Sequence, residues 1–129
     1  MSIVLNLEAS ESLSVDKVTQ ALATIPGCTI NNNGGLKEAY LPNSNVSATI
    51  KTELDDRTVL TEDLEGVNWQ VGFRMYFDID PTKANATTEV KEFIIKLSEL
   101  TEAPFALSFQ YETLYAKQDE NGLVISDEM

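Results

Sequence analysis

The stretch Trp69-Gln-Val-Gly-Phe-Arg-Met-Tyr-Phe-Asp-Ile79 restricts the fold more than any other. Trp69, Val71, Phe73, Met75, Phe77 and Ile79 alternate strictly with Gln70, Gly72, Arg74, Tyr76 and Asp78. Successive side chains of a β-strand point to opposite faces, so the alternation reads as one long strand with an apolar face and a mixed polar face, as an antiparallel sheet requires. Burying the six apolar side chains is worth about 9–18 kcal/mol as an upper bound, because the unfolded chain already buries part of that surface. A slip of one residue would turn the whole set to water, so this strand also fixes the register of its neighbours.

Other segments are read around it. Ile3, Leu5 and Leu7 alternate with Val4, Asn6 and Glu8 in a first strand. A helix follows, with Ser14 as N-cap, Leu13 and Val18 as a hydrophobic staple, and Val15, Val18, Leu22 and Ile25 on one face before Pro26-Gly27. Cys28-Thr-Ile30 and Leu36–Leu41 flank Asn31-Asn-Asn-Gly-Gly35, an irregular hairpin whose turn residues tolerate positive φ. Val46, Ala48 and Ile50 mark a strand running to about Leu54, expected to pair with the central one. The connection over residues 55–67 is long for a compact domain, and Val59, Leu60 and Leu64 are its expected anchors. Val90, Phe93, Ile94, Leu97 and Leu100 recur at helical spacing, with Glu92 and Lys96 as an outward pair. Phe105, Leu107, Phe109 and Tyr111 predict a second long strand, and the phase change at Thr113-Leu114-Tyr115 predicts a bulge or bend. Asp119-Glu-Asn-Gly122 is a hairpin signal, with Leu123-Val-Ile125 returning as a short strand.

With 129 residues and 43% hydrophobic content, the chain has room for one core, so residues 1–129 read as a single α+β domain. The element order predicts β-α-β-β-α-β with extra hairpins, a ferredoxin-like antiparallel sheet carrying both helices on one face. The opposite face would then be open and would display Gln70, Arg74, Tyr76, Gln110 and Glu112.

Chemistry is bounded by what the chain lacks. It has no histidine and one cysteine, Cys28, so no intramolecular disulfide can form and the usual zinc, haem and iron–sulfur ligand sets are absent. Asp78-Ile-Asp80-Pro81 lacks the later ligands of a calcium loop and reads as a turn. A serine or cysteine nucleophile would have no imidazole to activate it, and Cys28 reads as a small hydrophobe. The expectation is therefore no enzyme, no metal and no cofactor. Met1–Leu7 has no basic segment ahead of an apolar run, and no stretch approaches the length of a membrane span, so the expected compartment is the cytoplasm.

The net charge of −12, with a pI near 4.2, argues against nucleic acid or an anionic membrane as partner and in favour of a basic protein. Most of it lies in two segments. Residues 53–65 carry Glu53, Asp55, Asp56, Glu62, Asp63 and Glu65 against Arg57, and residues 119–129 carry Asp119, Glu120, Asp127 and Glu128 with no base. The acids of residues 53–65 together with Asp119 and Glu120 form the candidate partner-binding surface, and the open sheet face is the second candidate. The ending Phe105-Ala-Leu-Ser-Phe-Gln-Tyr-Glu-Thr-Leu-Tyr-Ala-Lys-Gln-Asp-Glu-Asn-Gly-Leu-Val-Ile125 resembles small acidic immunity proteins of bacterial contact-dependent or type VI toxin systems. That resemblance implies binding to a cognate toxin domain and neutralisation of it by covering its active or substrate-binding site. An acidic inhibitor or nucleic-acid mimic of phage origin, of the anti-restriction or anti-CRISPR type, is the alternative.

Overall fold

A computed structural model describes residues 3–33, 36–64 and 66–129. The chain forms β1 (Ile3–Ser10), α1 (Val15–Ala23), β2 (Thr29–Asn33), β3 (Leu36–Leu41), β4 (Val46–Lys51), β5 (Val71–Ile79), α2 (Thr88–Leu100), β6 (Phe105–Phe109), β7 (Thr113–Asp119) and β8 (Gly122–Ile125). It is an α+β fold with one antiparallel sheet of eight strands in the order β2-β3-β4-β5-β1-β6-β7-β8, and two helices. Of the turn expected over Asn31–Gly35, Asn31, Asn32 and Asn33 instead belong to β2 and pair with Glu38, Lys37 and Leu36, while Gly34 and Gly35 lie outside the described residues.

The register explains why the core sits where it does. Leu5, Leu7 and Ala9 of β1 face Phe77, Met75 and Phe73 of β5, and the same three face Phe109, Leu107 and Phe105 of β6. Cross-strand partners share a face, so the period-two apolar sets of three strands merge into one surface. The buried sides of α1 (Val18, Ala21, Leu22) and α2 (Val90, Phe93, Ile94, Leu97) join that surface in a single cluster, and the two helices touch each other. Ser14 has the extended backbone of an N-cap but makes no side-chain capping bond, and the staple residues Leu13 and Val18 are both buried. Lys96 pairs with Glu99 at 2.8 Å, one turn on, rather than with Glu92.

Other strand boundaries also differ from the sequence reading. The central strand begins at Val71, so Trp69 and Gln70 lie outside it. The physical reason is partner loss: β4 ends at Lys51, opposite Arg74, and not near Leu54, so Val71 gives its amide to the Arg57 carbonyl at 2.8 Å instead. The stretch 105–111 is not one strand either. β6 stops at Phe109, and Gln110 and Tyr111, at φ 50° and 65°, turn the chain back into β7, with the Glu112 amide bonded to the Phe109 carbonyl at 2.9 Å. The shift of register between Leu107 and Ser108 leaves Tyr115 as the extra residue of β7, which is the phase change seen in the sequence.

Gly72 marks a close approach where β1 leaves the ladder. A Cβ there would lie 2.8 Å from the Cα of Glu11 and 3.1 Å from the Ser10 carbonyl oxygen, both backbone atoms that cannot rotate away. Gly72→Ala is therefore expected to destabilise the fold by about 1–3 kcal/mol through overpacking. Urea unfolding measures it, and an unchanged midpoint would mean that the end of β1 yields freely.

Candidate functional site

The sheet face away from the helices is polar in sequence yet largely covered. On it β1 places Asn6, Glu8 and Ser10, β6 places Ala106 and Ser108, and β5 places Arg74 and Tyr76. All but Tyr76, which is half-buried, are buried, with Glu8 at 0% and Arg74 at 5% exposure. The cover is the described part of the β4–β5 connection, residues 52–64 and 66–70, which crosses the sheet as a strap. The expectation of an open face around Arg74 thus fails at the centre of the sheet.

The strap is pinned by an ion pair beneath it. Glu8 Oε2 accepts the Leu60 amide at 2.8 Å, and Glu8 Oε1 accepts the Thr61 amide at 3.1 Å and the Thr61 hydroxyl at 2.6 Å. Arg74 lies 3.5 Å from Glu8 and donates to the carbonyls of Asp56 and Thr58, each at 2.7 Å. The carboxylate takes strap amides and the guanidinium takes strap carbonyls, so the strap's backbone finds partners where water is excluded. Val59 and Leu64 are half-buried and Leu60 is 40% exposed, so Leu60 is fixed through its amide and not through its side chain.

Its far end is held as well. The Glu62 amide donates to the Tyr111 carbonyl at 2.7 Å, and Asp63 accepts the Leu114 amide at 3.0 Å. Asp56 accepts the Thr58 hydroxyl at 2.6 Å and the Thr58 amide at 2.9 Å. Those two bonds, the hydroxyl foremost, hold the Asp56 carboxyl below its ordinary pKa. At the turn between β7 and β8, the Asn121 amide and then Lys117 lower the Asp119 carboxyl in the same way.

The candidate carboxylates therefore divide by duty. Glu53, Asp55, Asp56, Glu62 and Asp63 are all exposed on the strap, but Asp56 and Asp63 also bind the strap to itself and to β7. Glu65 lies outside the described residues. Asp119 is half-buried and pairs with Lys117 at 3.2 Å, while Glu120 is exposed. Asp119 and Glu120 line a cleft of about 960 Å³ with Glu102 and with Gly66–Trp69 at the strap's end, a cleft that none of the described strap acids lines. Two segments are thus joined, but through Trp69 and its neighbours rather than acid to acid.

Sequence reasoning missed Glu8, Thr61 and the role of Arg74. One Glu and one Arg in two separate strands carry no signal singly; what unites them is the register Glu8↔Arg74. A second buried carboxylate, Glu89, accepts the Ser44 amide at 2.6 Å and the Ser44 hydroxyl, tying the turn before β4 to the start of α2. Burial, and then the charge of Glu89, push the Cys28 thiol above its ordinary pKa, away from the thiolate a nucleophile needs.

Among the described residues no group of three His, Cys, Asp or Glu side chains gathers as metal ligands. None of the described helices is long and apolar enough to cross a membrane. No protein-family model, no curated protein and no solved structure matches the chain.

Proposed function

We propose that the chain is an immunity-type inhibitor that binds a basic toxin domain through its acidic strap and covers that domain's active or substrate-binding site, without performing catalysis. The observation that carries this reading is the strap itself: its backbone is held across the sheet by a buried Glu8–Arg74 pair while Glu53, Asp55 and Glu62 stand exposed upon it. A charged loop that only aids solubility gains nothing from such anchoring. A docking surface gains pre-organisation, because less conformational freedom remains to be lost on association. We further read the β1-α1-β4-β5-α2-β6 succession, with β1 and β5 central between β6 and β4, as a ferredoxin-like core extended at both edges by hairpins.

The test uses Glu53→Gln, Asp55→Asn and Glu62→Gln together, leaving Asp56 and Asp63 in place because they brace the strap. Against a candidate basic toxin domain, this triple variant is expected to associate roughly tenfold more slowly at low salt, with a flatter salt dependence and an unchanged melting temperature. Asp119→Asn with Glu120→Gln serves as the comparison for the second acidic segment. Association rates equal to wild type for both variants at two salt concentrations would overturn the reading.

A further inference from the structure

The turn between β6 and β7 is built at a local cost. The turn that the Glu112 amide closes on the Phe109 carbonyl holds two successive residues at positive φ, a backbone region that favours Gly and Asn, yet this chain holds Gln110 and Tyr111 there. Bulky residues in that region are strained, and such strain persists where the displayed side chains matter more than the turn. What the turn displays is a shallow pocket of about 380 Å³, lined by Val4, Asn6, Tyr76, Gln110 and Tyr111. Beside Asn6, as its cross-strand partner on the same face, sits Ser108, fully buried and with a hydroxyl that has no hydrogen-bond partner.

The lining is two phenols and two carboxamides around an aliphatic base. No cation lines it. Arg74, two residues before Tyr76, spends its terminal nitrogens on Glu8 and on the Asp56 and Thr58 carbonyls. The surroundings are acidic: the Glu62 amide is bonded to the Tyr111 carbonyl, Asp63 to the Leu114 amide, and Glu112 follows in the chain.

From this we infer that the pocket receives an arginine side chain of the basic partner. A guanidinium can stack on a tyrosine ring while its forked N–H groups donate to carboxamide oxygens, and a lysine ammonium offers neither the plane nor the fork. None of these acids lines the pocket, so their negative charge draws a cation toward this side of the protein without filling it. The inference deepens the docking reading and rests on it for the source of the arginine, since a cation in a protein surface reaches this face only if the strap side is the interface.

The test titrates the isolated protein with N-acetyl-arginine-methylamide and follows the side-chain amides of Asn6 and Gln110 and the backbone amide of Tyr111 by NMR. Saturable shifts confined to this group are expected in the millimolar range. The neutral isostere N-acetyl-citrulline-methylamide should bind at least tenfold more weakly, and free arginine no more tightly than the blocked form. Gln110→Asn with Tyr111→Gly, which suits the turn, should raise the melting temperature and abolish the shifts. Absent or diffuse shifts, equal binding of citrulline, tighter binding of free arginine, or binding retained in the relaxed turn would each overturn the inference. The two readings fail separately: a silent pocket with a strap variant that still slows the partner removes only the arginine site, whereas probe binding with an indifferent strap removes the docking surface.

Discussion

Glu8→Ala is expected to cost about 3–5 kcal/mol of folding stability, the range for breaking a buried charge pair by removing one partner. The loss has named parts. Arg74 would remain buried with its charge uncompensated, and the amides of Leu60 and Thr61, with the Thr61 hydroxyl, would lose their acceptor under the strap. Glu8→Gln keeps an acceptor oxygen for Thr61 but not the charge, so it should fall between alanine and wild type. Urea unfolding at fixed pH gives the size of the effect, and amide hydrogen exchange gives its place: Leu60 and Thr61 should exchange much faster, because the opening of the strap is a local event beneath the global one. A loss under about 1 kcal/mol would mean that the strap leans little on this pair. The rigid presentation on which the docking reading depends would go with it.

How much of this is legible in the amino-acid sequence follows from where each piece of information lies in the chain. A segment that buries one face announces itself, because the period is internal to it: Phe73, Met75, Phe77 and Ile79 alternate within nine residues of β5, and Val90, Phe93, Ile94 and Leu97 recur within one helix. The candidate site is written differently. Glu8 and Arg74 are 66 positions apart and meet only because Ala9 and Leu7 align with Phe73 and Met75. The apolar faces set the register, and the register then delivers a polar pair to the other side of the same strands. Alternation puts both residues off the helix-packed face but carries no sign that the backbone of residues 56–61 covers them. The β6–β7 turn was hidden for another reason. Its sequence, Phe109-Gln-Tyr-Glu112, keeps the strand's alternation and lacks the Gly or Asn that punctuates such turns. A rule of turn chemistry is broken there, and that break is what points to a displayed pocket.

Phe77→Ala should cost as much as Glu8→Ala, about 3–5 kcal/mol, by a route that leaves a different trace. Phe77 is fully buried, faces Leu5 on β1 and Ala48 on β4, and sets its ring 5.7 Å from that of Phe93 at an interplanar angle of 55°. Truncation removes contacts to two neighbouring strands and to α2 at once, and the rigid sheet beneath cannot close the void. Exchange of the most protected amides, in β1, β5 and α2, should accelerate together, since all of them open only in global unfolding. Leu60 and Thr61 should instead keep their wild-type exchange rates as long as strap opening remains the cheaper event, because Glu8 and Arg74 lie on the other face and are untouched. Equal total losses with opposite exchange patterns would establish that the two faces of one sheet are separable: the helix-packed face holds the fold, and the polar face holds the strap. Acceleration of Leu60 and Thr61 in Phe77→Ala to the extent seen in Glu8→Ala would show the reverse, a strap whose closure is inseparable from the core.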